Sequence, residues 1–281
     1  MRALYDIPAP AKLNLFLHVI GRRADGYHLL QSAFVLIDWC DTLHFEIRPE
    51  GHLSREDAGP ALPPDDLVLR AARALVRSTG CTKGVHVTVQ KRLPEQAGLG
   101  GGSSDAASTL LALNRLWGLG LTRSQLSAIG LSLGTDVPFF IQGGPAWVEG
   151  IGEQIRPLRL PPARFVVLKP PTGLQTAAIF AARDLKRDST PAIISGFVAD
   201  PYRFGRNDLQ PVAERLCPQV AEGIDRLARH GLTGRMTGSG SAVFALATAE
   251  SAAPVVPPGW QVRLCNSLEA HPLGGWAASE D

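Results

Sequence analysis

Lysine is scarce in this chain. Of 28 basic residues only Lys12, Lys83, Lys91, Lys169 and Lys186 are lysines, so arginine carries most of the positive charge. Charge of one sign is also missing: 26 acidic residues leave a formal net charge of +2, which provides no broad basic face for nucleic acid. The four cysteines, Cys40, Cys81, Cys217 and Cys265, are scattered and form no CxxC pair, so reduced structural thiols are expected rather than a disulfide or zinc framework. The seven histidines make no HxH or HExxH spacing, and no metal site is expected. No run approaches the roughly 18 apolar residues of a membrane span. Asp6, Pro8, Pro10 and Lys12 arrive too early for an apolar leader segment. These absences predict a cytoplasmic protein with neither a membrane nor a nucleic-acid partner.

What is present is a globular composition. The chain has 281 residues, 45% of them hydrophobic, enough for one large domain or two moderate ones, because single cores tend to split beyond roughly 250 residues. "AKLNLFLHV" alternates with the period of a strand, placing Leu13, Leu15, Leu17 and Val19 on one face and Lys12, Asn14, Phe16 and His18 on the other. An Asp-Gly turn follows, then strands at 32–38 and 42–47, a pattern that favours antiparallel pairing. Residues 49–64 read as an exposed loop. Asp65 or Asp66 caps a helix over 67–80, and "VHVTVQ" gives another strand. Serine caps predict a helix over 103–118, a shorter one near Thr122 and another entered at Pro138. The second half predicts a strand and tight turn over 143–155, strands at 163–170, 240–247 and 260–264, and helices over 176–186 and 207–230.

Between the strand ending at Gln90 and the helix lies "LPEQAGLGGGSSDAASTL", with four glycines in the five positions 98–102. Glycine loses more conformational freedom on folding than any other residue, so such a run needs a reason. One reading is a tight connection where glycine relieves crowding. The other is an anion site, in which the amides of 98–104 and the helix's first turn converge on an oxyanion. The P-loop pattern fails for want of a lysine, the dinucleotide fingerprint has Ser103 at its third glycine position, and the kinase HRD and DFG triplets are absent. No GxSxG elbow supports a serine hydrolase. Ser103 and Ser104 offer hydroxyls to phosphate or magnesium, or serve only as caps.

Three further candidates stand apart in sequence. Lys12 lies beside Asn14 on the more polar strand face, where an ammonium could neutralise a phosphoryl group; a solvated lysine is the plain alternative. Asp136, before "VPFF", is either a helix cap or a proton acceptor beside an apolar wall. Tyr27 and His28 in "DGYH" could stack on and bond a ring, or cover the hairpin end. Spacing alone does not join Asp136 to Lys12.

Four segments together carry a resemblance: "PAKLNLFLHVIGRRADGYHLLQS", "KRLPEQAGLGGGSSDAASTLLALN", "LGTDVPFFI" and "GRMTGSGSAVFAL". They are similar to the motifs of the 4-diphosphocytidyl-2-C-methyl-D-erythritol kinases, within the galactose, homoserine, mevalonate and phosphomevalonate (GHMP) kinase superfamily. The resemblance covers essentially the whole chain. It implies an α+β two-domain fold: an N-terminal ribosomal-protein-S5-like domain with a left-handed βαβ unit over 1–155, which binds ATP phosphates and carries the catalytic groups, and a C-terminal ferredoxin-like sandwich over 156–281 on the substrate side. It implies ATP and a divalent ion, magnesium, as cofactors and a cytidine-diphospho alcohol as substrate, phosphorylated on its 2-hydroxyl in the non-mevalonate route to isoprenoid precursors.

Carried over residue by residue, the resemblance assigns Lys12 and Asp136 to catalysis. It assigns Pro94, Glu95, Gln96, Ala97, Gly98, Leu99, Gly100, Gly101, Gly102, Ser103 and Ser104 to the ATP phosphates, with Asp66 near the adenine in place of a more common asparagine. Asn14 would lie beside the acceptor, Tyr27 and His28 would hold the cytosine, and Phe180 would close its other side. Glu95 is expected to point away from the phosphates, where its charge would repel them. A monomer or weak homodimer is expected. The competing expectations are another GHMP-type alcohol kinase, without need of a cytosine clamp, and a non-catalytic ATP-binding regulator.

Overall fold

The computed structural model describes residues 1–49, 51–248 and 251–277. Two long strands, β1 (Ala3–Arg22) and β2 (His28–Arg48), form an antiparallel pair turned at Gly26, whose φ of 91° suits the residue. Next come β3 (Leu53–Asp57), α1 (Leu67–Thr79), β4 (Gly84–Gln90), α2 (Gly101–Trp117), α3 (Arg123–Leu131) and α4 (Val137–Gln142). The hairpin β5 (Ala146–Gly150) and β6 (Gln154–Pro157) leads to β7 (Arg164–Lys169), α5 (Thr176–Ala181), α6 (Ile194–Ala199), α7 (Gln210–Leu216) and α8 (Gln219–Arg229). The last strands are β8 (Arg235–Met236), β9 (Val243–Ala247) and β10 (Gln261–Leu268).

The sheet runs β3-β4-β2-β10-β7-β9-β8, with β1 and β5 also paired to β2. Antiparallel pairing dominates, as the early hairpin predicts; β3 and β4, joined through α1, pair in parallel. β10 ties the halves together, bonding β7 along its length and β2 at Ser267↔Ile37 and Leu268↔Leu36. One buried cluster also crosses the halves, with Phe16 and Trp147 packed against Phe197 and near Phe165 and Phe244. The boundary expected between 155 and 156 falls inside β6, which is hairpinned to β5; the connector without regular structure is 158–163.

Several predicted elements change. The stretch 49–64 holds β3, whose polar "LSRED" has no strand-like apolar alternation because it is an edge strand held by its ladder to β4; Glu50 lies outside the described residues. The strands at 32–38 and 42–47 are one, since pairing to β1 continues through Cys40 and Asp41. Pro218 breaks the helix predicted over 207–230 into α7 and α8, and that over 176–186 stops at Ala181. α6 was not visible in the sequence pattern. The amphipathic reading of the first strand fails because both its faces are covered: Lys12, Leu13, Asn14, Leu15 and Phe16 are all buried. Helix α1 follows expectation, with Val68, Ala71, Ala72 and Leu75 inward and Gly80 at its C-cap. All four cysteines are free. No helix among the described residues is long and apolar enough to cross a membrane.

Candidate active site

The glycine loop is pinned from behind through its carbonyls. Gln96 O accepts from Leu174 N (3.2 Å) and Ser241 N (3.1 Å), Ala97 O from Ala242 N (3.1 Å), and Leu99 O from Lys12 N (3.0 Å). The amides of Gly98 through Ser103 find no acceptor among the described residues. Carbonyls turned into the protein and amides turned out of it are what an anion cradle requires.

The glycines divide into two kinds. Gly98 and Gly100 have φ of 72° and 73°, and an added Cβ would sit 2.1 Å from Thr237 O at the first and 2.9 Å from Phe140 Cζ at the second. These two are required by the protein's own packing. At Gly101 the nearest protein atom is 3.4 Å away and at Gly102 it is 3.3 Å, both side chains and neither with positive φ. The fold constrains these two less than Gly98 and Gly100, and both line the cavity where α2 begins.

Helix α2 starts at Gly101, two residues before the predicted start, and no side chain caps it. This corrects the serine-cap expectation and removes Ser104 from the candidate phosphate ligands. Ser104 is fully buried, its hydroxyl donates to Pro10 O (2.6 Å) and its amide to Gly100 O (2.9 Å). Ser103 keeps its place at the cavity wall. Below the helix start, Lys91 bridges buried Asp105 (Oδ2, 2.7 Å) and Asp41. Burial opposes the Lys91 charge, but the two carboxylates overcome it and hold its pKa above the ordinary lysine value. Burial, together with Asp41, raises Asp105 to about 8 against the pull of Lys91.

Lys12 and Asp136, separated by 124 positions, meet in this cavity. Lys12 Nζ lies 3.7 Å from Asp136 Oδ2, donates to Asn14 Oδ1 and sits 4.8 Å from the centroid of the Phe34 ring. Lys12 is buried, not solvated, and burial pushes its pKa down against the opposing pull of Asp136. Asp136 occupies the N-cap position of α4 yet makes no capping bond, so its carboxylate is left for the cavity. Asn14 is fixed by Thr237 Oγ1, which accepts from its backbone amide (2.9 Å), and by Ser32 Oγ, which accepts from Nδ2 (3.0 Å). Irregularities in the β1–β2 register fall at Pro10/Ala11 and Asn14/Phe16, on either side of Lys12 and Asn14.

A single cavity of about 960 Å³ holds Lys12, Asn14, Asp136, the loop from Pro94 to Ser103, and Tyr27, His28 and Phe180. His28 and Phe180 rings pack at 5.0 Å between centroids, tilted by 32°. Tyr27, also lining the cavity, is 57% exposed. Glu95 is exposed and is one of the residues that line the cavity. Asp66 lies in an adjoining cavity of about 240 Å³, where its carboxylate is already engaged: it accepts from Val68 N and Leu69 N (both 3.2 Å) and pairs with Arg55 (2.6 Å).

Sequence reasoning missed the second wall of the site. Gly238 and Ser239 line the cavity, Thr176 Oγ1 lies 2.7 Å from Ser239 Oγ, and Asn207 Nδ2 holds Met236 O (2.9 Å) and Gly238 O (2.8 Å). The signal was the second glycine-serine run, "TGSGSAVF", which gives no hint that it backs the first. Among the described residues no group of three or more His, Cys, Asp or Glu could hold a metal ion.

Comparison with known proteins fits this geometry. The family model "GHMP kinases N terminal domain" matches residues 66–144, and "GHMP kinases C terminal" matches 199–256. The 4-diphosphocytidyl-2-C-methyl-D-erythritol kinase of Paracidovorax citrulli (strain AAC00-1) is 62% identical, with all of both chains covered. That of Acidovorax sp. (strain JS42) is 63% identical over 98% of this chain and 99% of its own. A crystal structure of 4-(cytidine 5'-diphospho)-2C-methyl-D-erythritol kinase, 34% identical, superposes with a TM-score of 0.76 over 92% of this chain and 98% of its own. The homoserine kinase of Cytophaga hutchinsonii, 14% identical with a TM-score of 0.69 over 96% of each chain, shares the fold.

Proposed function

The chain belongs to the 4-diphosphocytidyl-2-C-methyl-D-erythritol kinase family of the GHMP kinases, and on that premise we propose that it transfers the γ-phosphoryl group of ATP to the 2-hydroxyl of 4-(cytidine 5'-diphospho)-2-C-methyl-D-erythritol. ADP and the 2-phosphate are the products, in the non-mevalonate route to isoprenoid precursors. The observation that carries the proposal is the meeting of buried Lys12 and uncapped Asp136 beside the open amides of the glycine loop.

The triphosphate is assigned to the cradle of Gly98 to Ser103. Its fit rests on amides without protein acceptors and on the bare backbone of Gly101 and Gly102, which line the cavity. A magnesium ion accompanying ATP would have the Ser103 and Glu95 side chains among the oxygen-bearing groups that line the cavity at the loop. It would supply neutralisation of phosphate charge.

Asp136 accepts the proton of the attacking hydroxyl. Lys12, held by Asn14 and kept in a buried site, stabilises charge on the attacking and transferring oxygens. Because burial already disfavours its charge, Lys12 gains most when phosphoryl charge arrives beside it. Most of the catalysis is therefore positioning and electrostatics. Tyr27, His28 and Phe180 receive the cytosine at the far end of the cavity. The Asp66 carboxylate caps α1 and acts on the adenine side only by shaping the wall. We assign the enzyme to the cytoplasm, as a monomer or weak homodimer.

ADP release, measured with ATP and a panel of alcohols, tests the assignment. Turnover with the cytidine-diphospho alcohol and not with mevalonate or homoserine is expected; the reverse preference refutes the substrate.

A further inference from the structure

Arg187 stands behind His28 and Phe180, two residues of the cavity wall, and makes four donated bonds. Its Nη1 donates to Leu185 O (2.9 Å), its Nη2 to Ala182 O (2.7 Å) and Phe180 O (3.3 Å), and its Nε to His28 Nε2 (3.0 Å). Three main-chain carbonyls thus fix the guanidinium in place, and the fourth bond reaches across to His28 at the start of β2. The same residue holds the carbonyl of Phe180 and the edge of the imidazole that packs against the Phe180 ring.

The direction of the fourth bond has a chemical consequence. A guanidinium has only donors and stays charged, so His28 Nε2 must accept and must carry a lone pair. A neutral imidazole with a lone pair on Nε2 carries its proton on Nδ1. His28 lines the cavity, and its Nδ1 has no acceptor among the described residues. The charged groups around the ring favour the neutral form: Arg187 on one side, Arg22 on the other, with Asp25 in the turn between Arg22 and His28 engaged by Arg23 (2.6 Å) and the Tyr27 amide (3.2 Å). Burial first, then Arg187 and Arg22, lowers the His28 pKa.

We propose that Arg187 is a positioning and specificity-determining residue, which locks His28 as the Nδ1–H tautomer and so makes the imidazole an obligatory hydrogen-bond donor to the ring of the substrate. The inference rests on the kinase reading above and deepens it. Both rings offer O2 as an acceptor, but only cytosine offers an N3 lone pair, and the fixed donor is assigned to that N3. Uracil presents N3–H at the corresponding edge, so donor would face donor, and an unmet donor of this kind discriminates strongly.

The ¹⁵N spectrum of ligand-free protein labelled in histidine, with His28 assigned by its loss in His28→Gln, reads the tautomer directly. The expected result is a proton on Nδ1 and a lone-pair resonance for Nε2. A proton on Nε2 overturns the proposal, and this reading needs no turnover. In Arg187→Met the two nitrogens should average. KM for the cytidine-diphospho alcohol should rise about tenfold with kcat held within about threefold, and the preference over the uridine-diphospho analogue should narrow by about the same tenfold. Unchanged ¹⁵N resonances and an unchanged cytidine-to-uridine ratio in Arg187→Met would likewise refute it. Absence of turnover in the wild-type protein would instead overturn the kinase reading and leave the tautomer result standing.

Discussion

Replacing single glycines of the loop by alanine separates what the fold needs from what the nucleotide needs. In Gly98→Ala the new methyl lies 2.1 Å from Thr237 O and the backbone must keep a φ of 72°. Positive φ costs a residue with a Cβ about 1–2 kcal/mol. Overpacking adds about 1–3 kcal/mol, here against main chain that cannot rotate away. A loss of about 2–5 kcal/mol should lower Tm by several degrees, since about 1 kcal/mol moves a domain of this size by about 2–4 °C. Gly102→Ala differs in every respect. Its methyl meets only Leu67 Cδ1 at 3.3 Å, and alanine is about 1 kcal/mol more favourable than glycine within a helix, so Tm should stay level or rise. KM for ATP should nevertheless rise at least about tenfold, the equivalent of about 1.4 kcal/mol, because the methyl displaces phosphate from the bare first turn of α2. Thermal unfolding and initial-rate ADP release on the two variants provide the comparison. Wild-type KM for ATP in a folded Gly102→Ala protein would refute the cradle, and an unchanged Tm in Gly98→Ala would refute the division between the glycines.

Asp136→Asn should reduce kcat by at least about a hundredfold while ATP affinity by titration stays within about threefold, as expected for a group that acts on the proton and not on binding; a milder loss removes the base assignment. His271 is buried, with burial and Arg123 pushing its pKa down to about 4. The unfolded chain takes up that proton near its ordinary value of about 6.5, so stability present above that pH is lost as pH falls toward about 4. Tm measured from pH 7 to pH 5 should fall less in His271→Asn than in the wild type, and equal slopes would contradict this. Burial raises the Cys265 thiol to about 12 and the Cys40 thiol to about 11, with Asp38 the next cause in both. Neither should react with a thiol reagent at pH 8 in folded protein, a point checked by mass spectrometry before and after denaturation.

The local grammar of the chain was readable because it depends on neighbours in sequence. Alternation marked β1 and β4, the Asp66 cap and the Gly80 stop marked α1, and the glycine run leading into helix formers marked the loop that enters α2. Polar edge pairing hid β3, and the first turn of α2 took glycine at its start where a serine cap was expected, because burial claimed Ser104 for Pro10 O. The mixture of helices and strands was likewise readable from apolar periodicity, a property of the chain itself.

The tertiary structure alone decided the chemistry of the single residues. Whether Lys12 is solvated or buried, and whether Asp136 caps a helix or faces an ammonium, turns on 3.7 Å between groups far apart in the chain. It also decided which glycines answer to Thr237 and Phe140 and which are less constrained, and it set Arg187 against His28. Sequence specifies which groups exist and their local conformation; desolvation and short-range contact, which set charge, tautomer and reach, come only from what the fold brings alongside.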